Sequence, residues 1–144
     1  MLLYHMNFGW PLVSEGSVLE APEHKITPQN IHAAEAVPTW SKILAPKAGF
    51  AEQVLYHEIP ADAAGLSALT LKNPELGIAM KLEYRSAELP YLIQWRQFGC
   101  GEYVLGLEPG NCFPEGQEMM DKKGMLRRLA PGEKERTLIR VSLS

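Results

Sequence analysis

Apolar residues along the chain come in short runs of strand-compatible type, broken by glycine, proline and polar turn residues. Residues 1–8 (MLLYHMNF) end at Gly9 and read as a strand that starts without a polar lead-in, so upstream sequence is expected to be missing or supplied elsewhere. Residues 16–21 (GSVLEA) give a short strand, and 22–39 a polar, proline-punctuated loop with one helical turn. Residues 50–59 (FAEQVLYHEI) form a strand with Glu52, Val54, Tyr56 and Glu58 on one face and Gln53, Leu55, His57 and Ile59 on the other. Residues 66–71, 76–84 and 89–98 repeat the pattern across the turns KNPELG and RSAE, and together they predict an antiparallel meander. A strand over 103–107, one short helix over 115–123 and a half-buried last strand over 137–143 (TLIRVSL) complete the reading. The class is all-β and antiparallel, with long loops and one short helix.

Composition narrows this picture. A length of 144 residues fits one domain spanning 1–144. The 11 prolines and 12 glycines are spread out, as many short elements joined by tight turns require. A formal charge of −3 gathers no polyanion, so nucleic acid is not an expected partner. No apolar run reaches the ~18 residues of a membrane span, and no secretory leader opens the chain, so the expected location is the cytoplasm. Cys100 and Cys112 are then expected to be reduced. No CxxC pair or zinc-ligand set occurs, and neither metal nor cofactor is expected.

Chemistry is sought where polar residues interrupt apolar strands, because an unpaired polar group buried there costs several kcal/mol. The positions are His5 with Asn7, Glu52-Gln53 with His57, Gln94-Trp95, and Glu108 at the end of YVLGLEPGNC. Each has an ordinary explanation as a hydrogen-bonded or outward-facing strand residue, and Trp10, Trp40 and Trp95 read as core. His24 and His32 read as solvated loop residues, and Arg85, Arg96 and Arg127 as surface. Glu108, at the mouth of a buried strand, is expected to face a pocket.

LYHMNFGWPLVSEGS, EQVLYH, LKNPELGIAMKLEY, LIQWRQFGCGEYVLGLEPGNC and GEKERTLIRVSL together resemble the carboxy-terminal half of aldose 1-epimerase-like proteins. The similarity is to an uncharacterised, domain-of-unknown-function branch of the galactose mutarotase-like superfamily, whose members are β-supersandwiches of about twice this length. It implies a cofactor-free sugar site. His5, followed by Asn7-Phe8, stands where the family has its general acid, in a phrase one residue shorter. Glu108 stands where the family has its general base, with Asn111 and Pro114 echoing the Gln and Pro that follow. Gln94-Trp95 matches a Gln-aromatic pair that binds sugar hydroxyls, and Glu52 falls near an Asp that orients the sugar. The family's second His and its Arg belong to the amino-terminal half, outside this sequence.

Interconverting aldose anomers needs a base for the C1 hydroxyl proton and an acid for the ring oxygen, so that the ring opens, rotates about C1–C2 and recloses. The resemblance therefore implies a sugar anomerase with catalytic His5 and Glu108 and substrate contacts from Asn7, Glu52, Gln94, Trp95 and Asn111. Two other readings stand beside it: a carbohydrate-binding module without turnover, and a partial chain whose exposed sheet edges pair with another copy as a homodimer.

Overall fold

The computed structural model describes all 144 residues. Nine strands form two antiparallel sheets. The first holds β1 (Met6–Gly9), β8 (Glu102–Gly110), β7 (Tyr91–Gly99), β4 (Gln53–Glu58) and β3 (Lys25–Pro28), side by side in that order. The second holds β2 (Val18–Glu20), β5 (Leu66–Asn73), β6 (Ile78–Arg85) and β9 (Ile139–Leu143). Two short helices, α1 (Ile31–Ala34) and α2 (Gln117–Lys122), lie in the connections. None is long and apolar enough to cross a membrane.

The hairpins β5–β6 and β7–β8 follow from local turn chemistry. In KNPELG the Asn73 side chain accepts a hydrogen bond from the Leu76 amide at 3.1 Å, and Gly77 takes φ 65°. That left-handed backbone is one a glycine adopts without a Cβ clash. The expected meander is not what forms. β4 pairs with β7 and β3, not with β5; residues 59–65 carry the chain to the other sheet, and 86–90 bring it back. Alternation tells which residues share a face but not which strand lies alongside.

The two sheets close on one apolar core. Leu69, Leu71, Met80, Leu82 and Tyr84 of the second sheet meet Leu92, Phe98, Leu105 and Leu107 of the first, with Val13, Leu19 and Ile43 filling the flank. Fully burying each such side chain stabilises the fold by roughly 1.5–3 kcal/mol. The loop predicted over 22–39 contains more structure than expected: the edge strand β3, then α1, whose first turn is capped by Asn30 Oδ1 accepting from the Ala33 amide at 2.8 Å. The first strand is shorter than predicted and starts at Met6.

The last strand departs from its expected half-burial. Ile139, Val141 and Leu143 pair with Tyr84, Leu82 and Met80, all of which face the core, so they point inward too. Val141 and Leu143 are nonetheless 48% and 72% exposed. The first sheet ends at β1 and does not extend over them.

Candidate active site

The outer face of the first sheet carries the polar positions of interest. Register places Asn7 opposite Gly106, Gly106 opposite Trp95 and Trp95 opposite Val54; two residues along, Glu108 lies opposite Ile93 and Ile93 opposite Tyr56. Directly paired residues share a face, so β1, β8, β7 and β4 present these side chains on one surface. A hollow of about 320 Å³ opens there, lined by Leu3, His5, Gln29, Glu52, Val54, Ile93, Trp95, Glu108 and Pro114.

Glu108 forms the floor of this hollow. Its carboxylate is buried, and desolvation pushes its pKa up to about 7. His5 Nε2 stands 3.0 Å from Glu108 Oε1. That oxygen has no aligned hydrogen bond, so the close approach of the imidazole does not satisfy the buried acceptor. The imidazole is half exposed and stands edge-on to the Trp95 ring with centroids 5.7 Å apart. Trp95 Nε1 donates to Glu52 Oε2 at 2.7 Å, which holds a second carboxylate at the rim. An acid that titrates near neutrality beside an imidazole, at the bottom of an open hollow, is suited to moving protons on a bound molecule.

Gly106 is part of the site, although no local pattern marks it. A Cβ there would lie 2.7 Å from Glu108 Oε1, 3.1 Å from Trp95 Cβ and 3.4 Å from His5 Cε1. Only the missing side chain lets the three groups converge. Gln29, which follows β3, also escaped the sequence reading, because its strand is disguised within a polar loop.

His5, Glu52, Trp95 and Glu108 are thus brought together, while three expected contacts lie elsewhere. Gln94 alternates with Trp95 along β7 and points inward, fully buried. Its Oε1 accepts from His57 Nε2 at 3.0 Å and its Nε2 donates to the Trp40 carbonyl at 2.9 Å, so both ends are occupied inside the protein. Adjacent strand residues cannot both face one hollow. Asn111 is buried and clamps the chain start: its Oδ1 accepts from the Leu2 amide at 2.8 Å, and its own amide donates to the Leu2 carbonyl at 3.0 Å. Asn7 is exposed on the same face as His5, beyond the lining of the hollow.

Other expectations are also corrected. His24 is not solvated; its Nε2 meets His57 Nδ1 at 2.8 Å, and burial followed by the neighbouring His24 lowers the His57 pKa to about 3. Arg96 is not a surface residue. It is fully buried, donates to Gln53 Oε1 and the Lys42 carbonyl at 3.3 and 3.2 Å, and stands 5.2 Å from the Phe98 ring centroid. Desolvation lowers its pKa to about 10. Trp10 is not core but 79% exposed. Cys100 and Cys112 are unpaired.

Comparison with known proteins follows the same lines. A solved structure of a Klebsiella pneumoniae subsp. pneumoniae protein, provisionally described as an aldose 1-epimerase, superposes with a TM-score of 0.92 at 26% identity. The match covers 98% of this chain and 37% of that one, so the 144 residues correspond to little more than a third of the neighbour's length. The architecture is that of a galactose mutarotase-like sandwich, of which this chain is a part. No match was found among curated proteins. A family model, described as a domain of unknown function, DUF4432, matches residues 1–143, and the chain belongs to that family.

Proposed function

We propose that the chain binds an aldose on the outer face of its first sheet and interconverts the sugar's anomers. Glu108 takes the proton of the C1 hydroxyl while His5 protonates the ring oxygen; the open-chain aldehyde then rotates and recloses with the two roles reversed. The proton moves between sugar oxygens and these two side chains, so the cycle consumes no other reactant. Glu52, held by Trp95, receives sugar hydroxyls at the rim. The observation that carries this reading is the buried Glu108, with a pKa of about 7 and an oxygen lacking an aligned hydrogen bond, set 3.0 Å from the His5 imidazole in an open hollow. The fold of the neighbour, described as an aldose 1-epimerase, agrees with it.

A second reading, sugar binding without turnover, draws on one specific observation. At 3.0 Å the two groups already touch, so a sugar ring can lie between them only if the half-exposed His5 swings aside. Polarimetry on freshly dissolved α-glucose and α-galactose separates the two. Catalysis predicts accelerated mutarotation that falls about a hundredfold or more in Glu108→Gln. Full activity in that variant removes Glu108 as the base, and calorimetric binding without acceleration establishes the binding module instead.

A further inference from the structure

Two connections form the wall of the hollow farthest from His5: the chain leaving β3, with Gln29, and the chain leaving β8, with Pro114. The Gln29 amide donates to the Val54 carbonyl at 3.0 Å, which carries the β3–β4 register, with Pro28 opposite Leu55, one residue further. Gln29 thereby extends the row of Asn7, Gly106, Trp95 and Val54 across the outer face. Tyr56 lies in the neighbouring row, with Ile93 and Glu108. Its ring is buried and stacks on Phe113 with centroids 4.1 Å apart. Its hydroxyl faces the side chains of Gln29 and Glu115 without an aligned hydrogen bond to either. A buried phenol calls for a partner, and an amide side chain can both give and accept.

We propose that Gln29 determines specificity in the sugar site by hydrogen-bonding hydroxyls on the C3–C4 edge of the ring, and that Tyr56 is the positioning residue that holds its amide. The assignment rests on the activity proposed above, which sets C1 and the ring oxygen at Glu108 and His5. The opposite edge of a pyranose is then its C3–C4 bond. Strands lie about 4.8 Å apart, so three spacings, from β8 through β7 and β4 to the chain leaving β3, set Gln29 roughly 14 Å from Glu108 at the backbone. Side chains reaching inward from both ends leave the width of one ring between them.

The donor inventory favours the same residue. Glu52 only accepts, and the Trp95 N–H is already given to it at 2.7 Å. Away from His5, the two N–H groups of Gln29 are the side-chain donors in the lining that can meet the lone pairs of sugar hydroxyls.

Exchange between α and β anomers at equilibrium, followed by NMR for glucose and its 2-, 3- and 4-deoxy analogues, tests this. On glucose, kcat/KM should fall about tenfold in Gln29→Ala. Removing the hydroxyl at C3 or at C4 should cost the native sequence a similar factor, and that cost should vanish in Gln29→Ala, while 2-deoxyglucose keeps the full effect of the substitution. Tyr56→Phe keeps the stacked ring and should lower kcat/KM on glucose severalfold, but not in the Gln29→Ala background, a coupling that a purely structural role would not produce. Gln29 is exposed, and Tyr56→Phe removes a hydroxyl without an aligned partner, so both variants should fold, which circular dichroism checks. If calorimetry finds binding without turnover, the same comparisons are read in dissociation constants. A native protein that acts on glucose or binds it, with Gln29→Ala its equal or with the 3- and 4-deoxy penalties kept in that variant, overturns the role of Gln29 alone. A Tyr56→Phe effect that persists in Gln29→Ala overturns the role of Tyr56, and the absence of both exchange and binding in the native protein overturns the sugar site as a whole.

Discussion

Replacing Glu108 with Gln tests the buried acid through stability as well as rate. The carboxyl has a pKa of about 7 in the folded chain against an ordinary value of 4.5, because burial penalises its charged form. For an acid whose pKa rises on folding, the neutral form favours the native state. Stability is therefore full below pH 4.5, declines as pH rises toward 7, and levels off above. A shift from 4.5 to about 7 corresponds to about 3 kcal/mol at 1.36 kcal/mol per unit. Glutamine has nearly the same shape and no charge to bury. The unfolding free energy of the native sequence minus that of Glu108→Gln should accordingly fall by up to about 3 kcal/mol between pH 4 and pH 8. Urea unfolding at a series of pH values reads this directly, and repeating the pair in a His5→Gln background isolates the carboxyl from its neighbour. A difference that stays flat between pH 4.5 and 7 would mean that the carboxylate is wet, and the acid–base reading would lose its foundation. On the same reasoning the base form of Glu108 accumulates as pH rises through 7, so mutarotation should climb over that interval.

Two other substitutions separate the site from its support. Gly106→Ala places a methyl group 2.7 Å from Glu108 Oε1, and polarimetry should show activity reduced about tenfold or more, through misplacement of reacting groups, while the far-ultraviolet dichroism is kept. Unchanged activity would show that the convergence at Gly106 is incidental. Gln94→Ala strands the buried His57 Nε2 and Trp40 carbonyl, so denaturant unfolding should register a loss of roughly 2–5 kcal/mol while sugar affinity measured by calorimetry stays put. Loss of affinity with unchanged stability would return Gln94 to the binding surface.

Much of the fold was legible because its information is local. In the turns KNPELG and RSAE, and in the alternation of residues 66–71 and 89–98, near neighbours in sequence fix the backbone. β3 escaped notice because an edge strand of four residues, ending in Pro28, needs no apolar run of its own; its pairing with β4 supplies the order. His5 and Glu108 were legible by resemblance, as polar residues set within apolar strands. Gln94 and Trp95, read together as one contact, belong to opposite faces of β7, and only the second lines the hollow.

The class of fold, most strand positions and the polar residues set within apolar strands can be read along the chain, since these depend on period, turn composition and residue type. Only the folded chain sets which strands become neighbours, which side of β7 faces the hollow, and that Gly106 leaves room for an acid, an imidazole and an indole to meet. Such outcomes rest on pairing between segments up to about a hundred residues apart, whose register no local pattern encodes.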